Sequence, residues 1–295
     1  MADLTRRSVL RMAARASVGA AGLFALSAVV DPLKPLAAPQ APAPFDPPTA
    51  GKTLPTKLTG SFVSAARGGI KTNWVIAMPP GQTKMLRPVI ALHGKDGDAN
   101  MMLDCGVEDA LAQLVAAGKP PFAVVGVDGG ASSYWHRRSN GEDSGTMVIE
   151  ELLPMLSSMG MDTSRVGFLG WSMGGYGAML LAGERAEQGL PVGPVVATSP
   201  AVWEDYDDVR PGAFDSAEDF ATYGMFGRRD LLEGLDVRVD CGRGDPFFHN
   251  VSDLVDGMDA EVHFAAGAHN GAYWTRVLPD QLDWIGDRIS ATGAQ

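Results

Sequence analysis

The chain has 295 residues, of which 45% are hydrophobic, so it is long enough to bury a substantial core. Its formal net charge of −11 argues against a nucleic-acid partner, which needs basic side chains to hold phosphates, and against docking on an anionic membrane surface. The two cysteines, Cys105 and Cys241, form no C-x-x-C pair, which argues against a zinc or thioredoxin-like site and leaves open a disulfide or two buried thiols.

Residues 1–38 predict an export signal. The basic pair Arg6-Arg7 precedes an apolar, Ala-rich run from about residue 16 to residue 30. A basic head before a weakly hydrophobic run is typical of bacterial export signals, and paired arginines indicate the twin-arginine route. Residues 39–55 are rich in proline and alanine and are interpreted as an extended linker. We therefore expect one folded domain over residues 56–290, in a protein that is secreted, periplasmic or associated with the cell envelope.

The folded part alternates predicted strands with predicted helices. A hairpin of strands is expected at 60–65 and 73–78. Short apolar runs bounded by turn residues predict buried strands at 88–92, 122–127, 166–169, 194–198, 237–241 and 261–265. Helical periodicity is present at 106–117, at 144–158, in an Ala/Leu segment through 187 and at 276–289. This alternation predicts a mostly parallel central sheet with helices on both faces.

A G-x-S-x-G motif, Gly170-Trp171-Ser172-Met173-Gly174, lies between a predicted strand and a predicted helix. In that context the motif is typical of the nucleophile elbow of the α/β-hydrolase fold. The sharp turn strains the serine backbone, and glycines flank it because side chains there would collide. The motif predicts Ser172 as a nucleophile and the Met173 backbone N–H, at a helix N-terminus, as an oxyanion donor.

A base and an acid are expected to follow the nucleophile, because a serine hydroxyl is a poor nucleophile until a base takes its proton. His269, in the loop after the last predicted strand, is favoured over His249 as the base. Asp245, in the loop after the preceding strand, is favoured as the acid over Asp240, which is still within that strand. The acid would hold the imidazole in one tautomer and stabilise its cation.

The loop after predicted strand 88–92 is expected to supply the second oxyanion donor, with the Lys95 N–H as the candidate and Gly94 as the alternative. Three side chains are candidates for the substrate pocket, as apolar wall or as cation for an acidic group: Trp135, Arg137 and Trp171. Residues 203–231 interrupt the alternation and are interpreted as a cap or lid over the active-site edge. The sequence shows no metal cluster, phosphate loop or dinucleotide fingerprint, so no cofactor is expected.

The chain resembles the putative-esterase (esterase D type) branch of the α/β hydrolases and, more distantly, the mycolyltransferases of mycobacteria. The resemblance extends from about Gly60 onward. It rests on the elbow and on five further segments: Leu92-His93-Gly94, Asp128-Gly129-Gly130 followed by Ser132 to Trp135, residues 150–154, Asp245-Pro246-Phe247, and His269 with Tyr273-Trp274. The elbow sequence is nearer the esterase form, and an Asp rather than a Glu as acid departs from the mycolyltransferase pattern.

The leading hypothesis is an exported serine esterase that hydrolyses carboxylic esters through an acyl-Ser172 intermediate. The substrate would be a small-molecule, lipid or sugar ester. An acyltransferase with the same triad is the alternative, with a sugar or lipid alcohol in place of water. A catalytically silent binding protein is a third possibility, against which the complete set of three catalytic side chains argues. The sequence does not indicate an oligomeric state.

Overall fold

The computed structural model describes residues 52–289. The predicted export signal and the linker through residue 51 lie outside the described residues. Leu54 already packs against the domain: its side chain is buried in the core and its N–H donates to Gln82 O at 2.7 Å. Within the described part, no helix is both long enough and apolar enough to cross a membrane.

Within the described residues, eight strands form one sheet: β1 (Lys57–Ser64), β2 (Ile70–Ala77), β3 (Pro88–Leu92), β4 (Ala123–Val127), β5 (Val166–Trp171), β6 (Val192–Thr198), β7 (Val237–Gly242) and β8 (Glu261–Ala265). Their order is β1-β2-β4-β3-β5-β6-β7-β8. β1 and β2 pair antiparallel, β2 pairs antiparallel with β4, and all remaining neighbours are parallel. The predicted α/β-hydrolase fold with a mostly parallel sheet is therefore confirmed.

In the part of the chain that the structure describes, eight α-helical segments accompany the sheet: α1 (Met101–Asp104), α2 (Val107–Ala116), α3 (Ser144–Thr146), α4 (Leu153–Ser158), α5 (Met173–Glu187), α6 (Ala217–Tyr223), α7 (Phe248–Val255) and α8 (Gly271–Ile289). Alternate residues of a strand face opposite sides of a sheet. In β3, Ile90 joins the hydrophobic cluster that contains α4 and α5, whereas Val89 and Ala91 join the cluster that contains α2 and α8. Helices therefore cover both faces of the sheet, as predicted.

The predicted helix at 144–158 consists of three pieces. α3 begins after Asp143, whose side chain accepts the Thr146 N–H at 2.8 Å. A π-helical stretch, Met147–Leu152, follows and leads into α4, which has Pro154 in its first turn. A proline cannot donate a backbone hydrogen bond, so the preceding turn is wider than an α-helical one. The apolar periodicity identified the buried face of this segment but not the change of helix type.

Residues 203–231 lie between β6 and β7 and contain α6, two short 3₁₀ turns and most of a third, which ends at Leu232. The segment is packed onto the domain through Phe214, which is buried and lies edge-on to Tyr176 with ring centroids 5.9 Å apart. An ion pair between Arg138 and Asp215, at 2.7 Å, fixes it to the loop after β4. The excursion is therefore a packed part of the domain, and its contribution to the active site is described below.

Both cysteines are free and buried. Burial raises the pKa of the Cys105 and Cys241 thiols to about 12. Of the two alternatives that the sequence left open, the structure shows the pair of buried thiols.

Candidate active site

Ser172 forms a tight turn between β5 and α5. Its backbone has φ 56° and ψ −117°, a strained conformation for a residue with a side chain. A Cβ added to Gly170 would lie 2.0 Å from Gly174 O, and one added to Gly174 would lie 1.8 Å from Leu92 O. Only glycine fits at either position, because the atoms in the way belong to the backbone. The turn places the Ser172 side chain at the carboxyl edge of the sheet.

The structure brings together the three side chains that the sequence proposed as a triad. His269 Nε2 lies 2.8 Å from Ser172 Oγ, and His269 Nδ1 lies 2.8 Å from Asp245 Oδ2. The competing candidates are elsewhere: Asp240 forms a buried ion pair within its own strand, and His249 is exposed on α7. The loops after β7 and β8 therefore provide the acid and the histidine, in the order expected for this fold.

Asp245 holds His269 in one tautomer. The Asp245 side chain is fully buried, and its Oδ1 accepts the Phe247 N–H at 2.9 Å. Burial disfavours the charged form, but the hydrogen bonds from His269 and Phe247 outweigh it, so the pKa of Asp245 lies below its ordinary value. The carboxylate therefore stays ionised at neutral pH and accepts the Nδ1–H of His269. The Nε2 lone pair is then free to accept the Ser172 hydroxyl proton.

Two backbone N–H groups beside Ser172 are available to bind an oxyanion. Met173 is the first residue of α5, so its N–H has no partner within the helix. Among the described residues, neither Met173 N–H nor Lys95 N–H has a protein acceptor. Gly94 N–H instead donates to Met101 Sδ at 3.1 Å. Of the two predicted donors in this loop, the structure therefore leaves Lys95 rather than Gly94 free for substrate.

His93 fixes the oxyanion loop. Its ring is buried, its Nδ1 lies 2.7 Å from Gly94 O, and its Nε2 accepts the Gly129 N–H at 2.9 Å. The neutral Nδ1–H tautomer satisfies both bonds, whereas a second ring proton would break the bond from Gly129. Burial lowers the pKa of His93 and so favours this neutral form. His93 thereby ties the loop after β3 to the loop after β4.

The free energy of unfolding should fall as the pH is lowered from about 7.5 to 5, and His93 should account for part of the fall. Because its folded-state pKa lies below the ordinary 6.5, the unfolded chain takes up the proton first. The stability that neutral His93 contributes is fully present above pH 6.5 and is lost as the pH falls through the folded-state pKa. Each pKa unit by which folding lowers the pKa of His93 corresponds to about 1.4 kcal/mol of this stability. Urea unfolding at both pH values should show a smaller pH dependence for His93→Gln than for the wild type. An equal pH dependence in the two proteins would contradict this role.

A pocket of about 280 Å³ opens over Ser172 and His269. Its other lining residues are Gly94, Lys95, Met101, Tyr134, Arg210, Pro211, Phe247 and Trp274. Three of them are aromatic and two are cationic, so the pocket can hold an apolar group and an acidic one. Arg210 and Pro211 belong to the excursion between β6 and β7, which therefore forms one wall of the pocket. This agrees with its interpretation as an element over the active-site edge.

The three pocket candidates from the sequence do not line this pocket, which corrects the expectation. Trp171 ends β5 with its side chain fully buried in the cluster beneath α8, and Trp135 is also fully buried. Trp135 and the preceding Tyr134 both have positive φ, 57° and 48°, so the chain reverses there and turns Tyr134 rather than Trp135 toward the pocket. Arg137 is exposed and lies outside the lining.

The sequence carried a signal for some of the residues that were missed. Phe247 and Trp274 lie in segments that supported the family resemblance, and their rings contact the His269 ring at 5.2 and 5.3 Å between centroids. Nothing in the sequence pattern singled out Arg210 or Met101. Within residues 52–289, no group of three or more His, Cys, Asp or Glu side chains is arranged to hold a metal ion.

Residues 66–285 match the family model described as "Esterase: Putative esterase". The matched range includes Ser172, Asp245 and His269. The chain belongs to the putative esterase family. Membership of this family makes it a carboxylic ester hydrolase of the serine type. A search of curated protein sequences finds no match.

Solved structures with the same fold include other esterases. Fluorophosphonate-binding serine hydrolase F of Staphylococcus aureus aligns with a TM-score of 0.65 at 18% identity, over 80% of this chain and 99% of that chain. A ferulic acid esterase aligns with a TM-score of 0.65 at 19% identity, over 78% and 97%. An S-formylglutathione hydrolase from Agrobacterium tumefaciens aligns with a TM-score of 0.61 at 19% identity, over 81% and 99%. At these identities the likeness concerns the fold.

Proposed function

We propose that this member of the esterase family is an exported enzyme that hydrolyses carboxylic esters through an acyl-Ser172 intermediate. The observation that carries the proposal is the continuous row of hydrogen bonds from Ser172 through His269 to Asp245, with bond lengths of 2.8 Å at both steps. Two free N–H groups next to the serine complete the arrangement that acyl transfer requires.

In the first half of the reaction, Ser172 Oγ attacks the ester carbonyl carbon while its proton passes to His269 Nε2. The carbonyl oxygen becomes an oxyanion, which the N–H groups of Met173 and Lys95 stabilise. Asp245 stabilises the imidazolium cation without taking its proton. Collapse of the tetrahedral intermediate breaks the bond to the alcohol oxygen, which receives the proton from His269. The acyl group is then an ester of Ser172.

In the second half, water attacks the acyl-Ser172 carbonyl carbon and gives its proton to His269. The second tetrahedral intermediate releases the carboxylic acid, and His269 returns the proton to Ser172 Oγ. The pocket of about 280 Å³ has room for an acyl or alcohol group of modest size beside the serine.

Fluorophosphonate labelling tests the proposal directly. The reagent reacts readily with a serine hydroxyl whose proton a neighbouring base can take. We expect the full chain to be labelled at Ser172, located by mass spectrometry, and we expect His269→Ala to lose the label because no base remains to take the proton. His249→Ala is the matched control and should keep it. A folded wild-type protein that takes up no label would contradict the proposal and favour a binding role.

The same reagent tests export. The proposal of export is supported by the Arg6-Arg7 pair before an apolar run. When the full chain is expressed in a bacterium with a twin-arginine exporter, labelled protein should be found outside the cytoplasm. Changing both arginines to lysine should retain labelled protein in the cytoplasm. Label outside the cytoplasm in both cases would contradict the twin-arginine route while leaving the esterase proposal intact.

A further inference from the structure

Two cationic side chains, Lys95 and Arg210, line the pocket that contains Ser172. Both residues are exposed, in a protein whose formal net charge is −11. Among the described residues, neither forms an ion pair with a carboxylate, whereas Arg138 on the neighbouring loop pairs with Asp215 at 2.7 Å. Neither positive charge of the pocket is therefore held in an ion pair within the described structure.

In the described structure Arg210 forms no ion pair, although several acidic residues precede it closely in the chain. Four carboxylates lie within six residues before it: Glu204, Asp205, Asp207 and Asp208. None of them pairs with Arg210 in the described structure. The guanidinium carbon instead lies 5.1 Å from the centroid of the Phe247 ring, on the pocket side. A guanidinium stacked on an aromatic face keeps its N–H edges free for another partner.

A tight turn fixes the backbone of Arg210. Ala213 N–H donates to Arg210 O at 3.1 Å, with Pro211 and Gly212 at the central positions and φ 83° at Gly212, as in a type II turn. Arg138 Nη1 donates to Ala213 O at 2.8 Å and Arg138 Nη2 donates to Gly212 O at 3.2 Å. The turn is therefore bound to the loop after β4. The backbone that carries Arg210 is therefore already ordered before a ligand binds.

A short series of contacts places Arg210 near the reacting atoms. Its guanidinium stacks on Phe247, whose ring centroid lies 5.2 Å from that of His269. His269 Nε2 lies 2.8 Å from Ser172 Oγ. Tyr134 lines the same pocket, and burial raises its pKa to about 12, so its hydroxyl remains a neutral hydrogen-bond donor. An ester bound at Ser172 would extend toward these donors.

We propose that the pocket selects esters that carry a second, anionic group, a carboxylate on the acyl or the alcohol part, and that Arg210 is the residue that recognises it. Lys95 adds a second charge on the oxyanion side of the pocket. Arginine suits this role because its planar fork binds a carboxylate through two parallel hydrogen bonds. The inference rests on the proposed function, since it assigns the substrate class of the same site.

Two matched pairs of esters test the inference on the full-length protein. Mono-4-nitrophenyl glutarate against 4-nitrophenyl butyrate places the carboxylate on the acyl side. 4-Acetoxybenzoate against phenyl acetate places it on the alcohol side. The measured quantity is the ratio of kcat/KM for the anionic member to that for the neutral member. We expect the anionic ester to be preferred in at least one pair by roughly tenfold to a hundredfold, mainly through a lower KM.

The variants separate recognition by Arg210 from an effect of net charge. Arg210→Gln should reduce the ratio to near one. Arg210→Lys should restore part of it, because lysine has the positive charge but lacks the planar guanidinium that binds a carboxylate through two parallel hydrogen bonds. Arg229→Gln is the matched control: it removes the same charge from an exposed position that lines a different cavity, and it should keep the wild-type ratio. An equal loss in Arg229→Gln and Arg210→Gln would overturn the inference.

The neutral esters distinguish failure of the inference from failure of the proposed function. Turnover of neutral esters with no preference in either pair, or with a preference that survives Arg210→Gln, overturns the inference and leaves the esterase proposal standing. A folded protein that hydrolyses none of the four esters and takes up no fluorophosphonate overturns both.

Discussion

Replacing Ser172 by alanine should lower kcat for a short-chain aryl ester on the order of 10⁶-fold, as when the nucleophile of a hydrogen-bonded serine triad is removed. The substitution removes the Oγ atom that bonds His269 Nε2 at 2.8 Å. Alanine carries the same backbone strain as serine at φ 56°, so the elbow itself should persist. Steady-state hydrolysis and thermal unfolding of the same preparation measure both effects.

The control for this substitution is a serine outside the site. Ser157 is exposed on α4, and Ser157→Ala should retain wild-type turnover. A Ser172→Ala protein that is folded and still hydrolyses the ester at the wild-type rate would rule out the acyl-serine mechanism.

Replacing Asp240 by alanine should lower the free energy of unfolding by about 3–5 kcal/mol, because it leaves a buried arginine without its partner. Asp240 forms a two-bond ion pair with Arg238 on β7, at 2.8 and 2.9 Å, and its Oδ2 also accepts from Gln281 Nε2 at 3.0 Å. Both charged side chains are almost fully buried. Urea unfolding monitored by tryptophan fluorescence measures the loss.

Two further variants show whether burial is the cause. Asp283→Ala breaks a pair with Lys119, at 3.1 Å, in which both partners are partly exposed, and it should lower the free energy of unfolding far less than Asp240→Ala does. Replacing Arg238 and Asp240 together, by methionine and leucine, should recover much of the stability lost in Asp240→Ala, since no uncompensated charge remains. Equal losses for Asp240→Ala and Asp283→Ala would refute the explanation.

The elbow shows how much a short segment can determine. Glycines on both sides of Ser172, between an apolar strand and a helix, are required by backbone contacts of 2.0 and 1.8 Å that a Cβ would make. The Gly170 contact lies within the motif, so the motif encodes it locally, whereas the Gly174 contact is with Leu92 on β3 and depends on the neighbouring strand. The positions of Asp245 and His269 follow from a second regularity: loops at the carboxyl ends of parallel strands meet at one edge of the sheet.

The oxyanion loop shows where local information stops. The sequence left Lys95 and Gly94 as alternative donors, and the choice depends on Met101, whose sulfur occupies the Gly94 N–H at 3.1 Å. Likewise, the free state of Cys105 and Cys241 depends on where the chain places them. Each outcome is set by which residues become neighbours after folding.

By itself, the sequence determined the α/β architecture, the elbow, and the identity of the three side chains that meet at it. Apolar periodicity and local sterics act over a few residues, and strand order then fixes which loops share an edge. Only the tertiary structure decided the walls of the pocket. Two consecutive residues with positive φ turn Tyr134 rather than Trp135 toward Ser172, and the turn at Arg210 is held there by bonds from a separate loop. Such contacts join segments far apart in the chain, and no pattern within either segment encodes them.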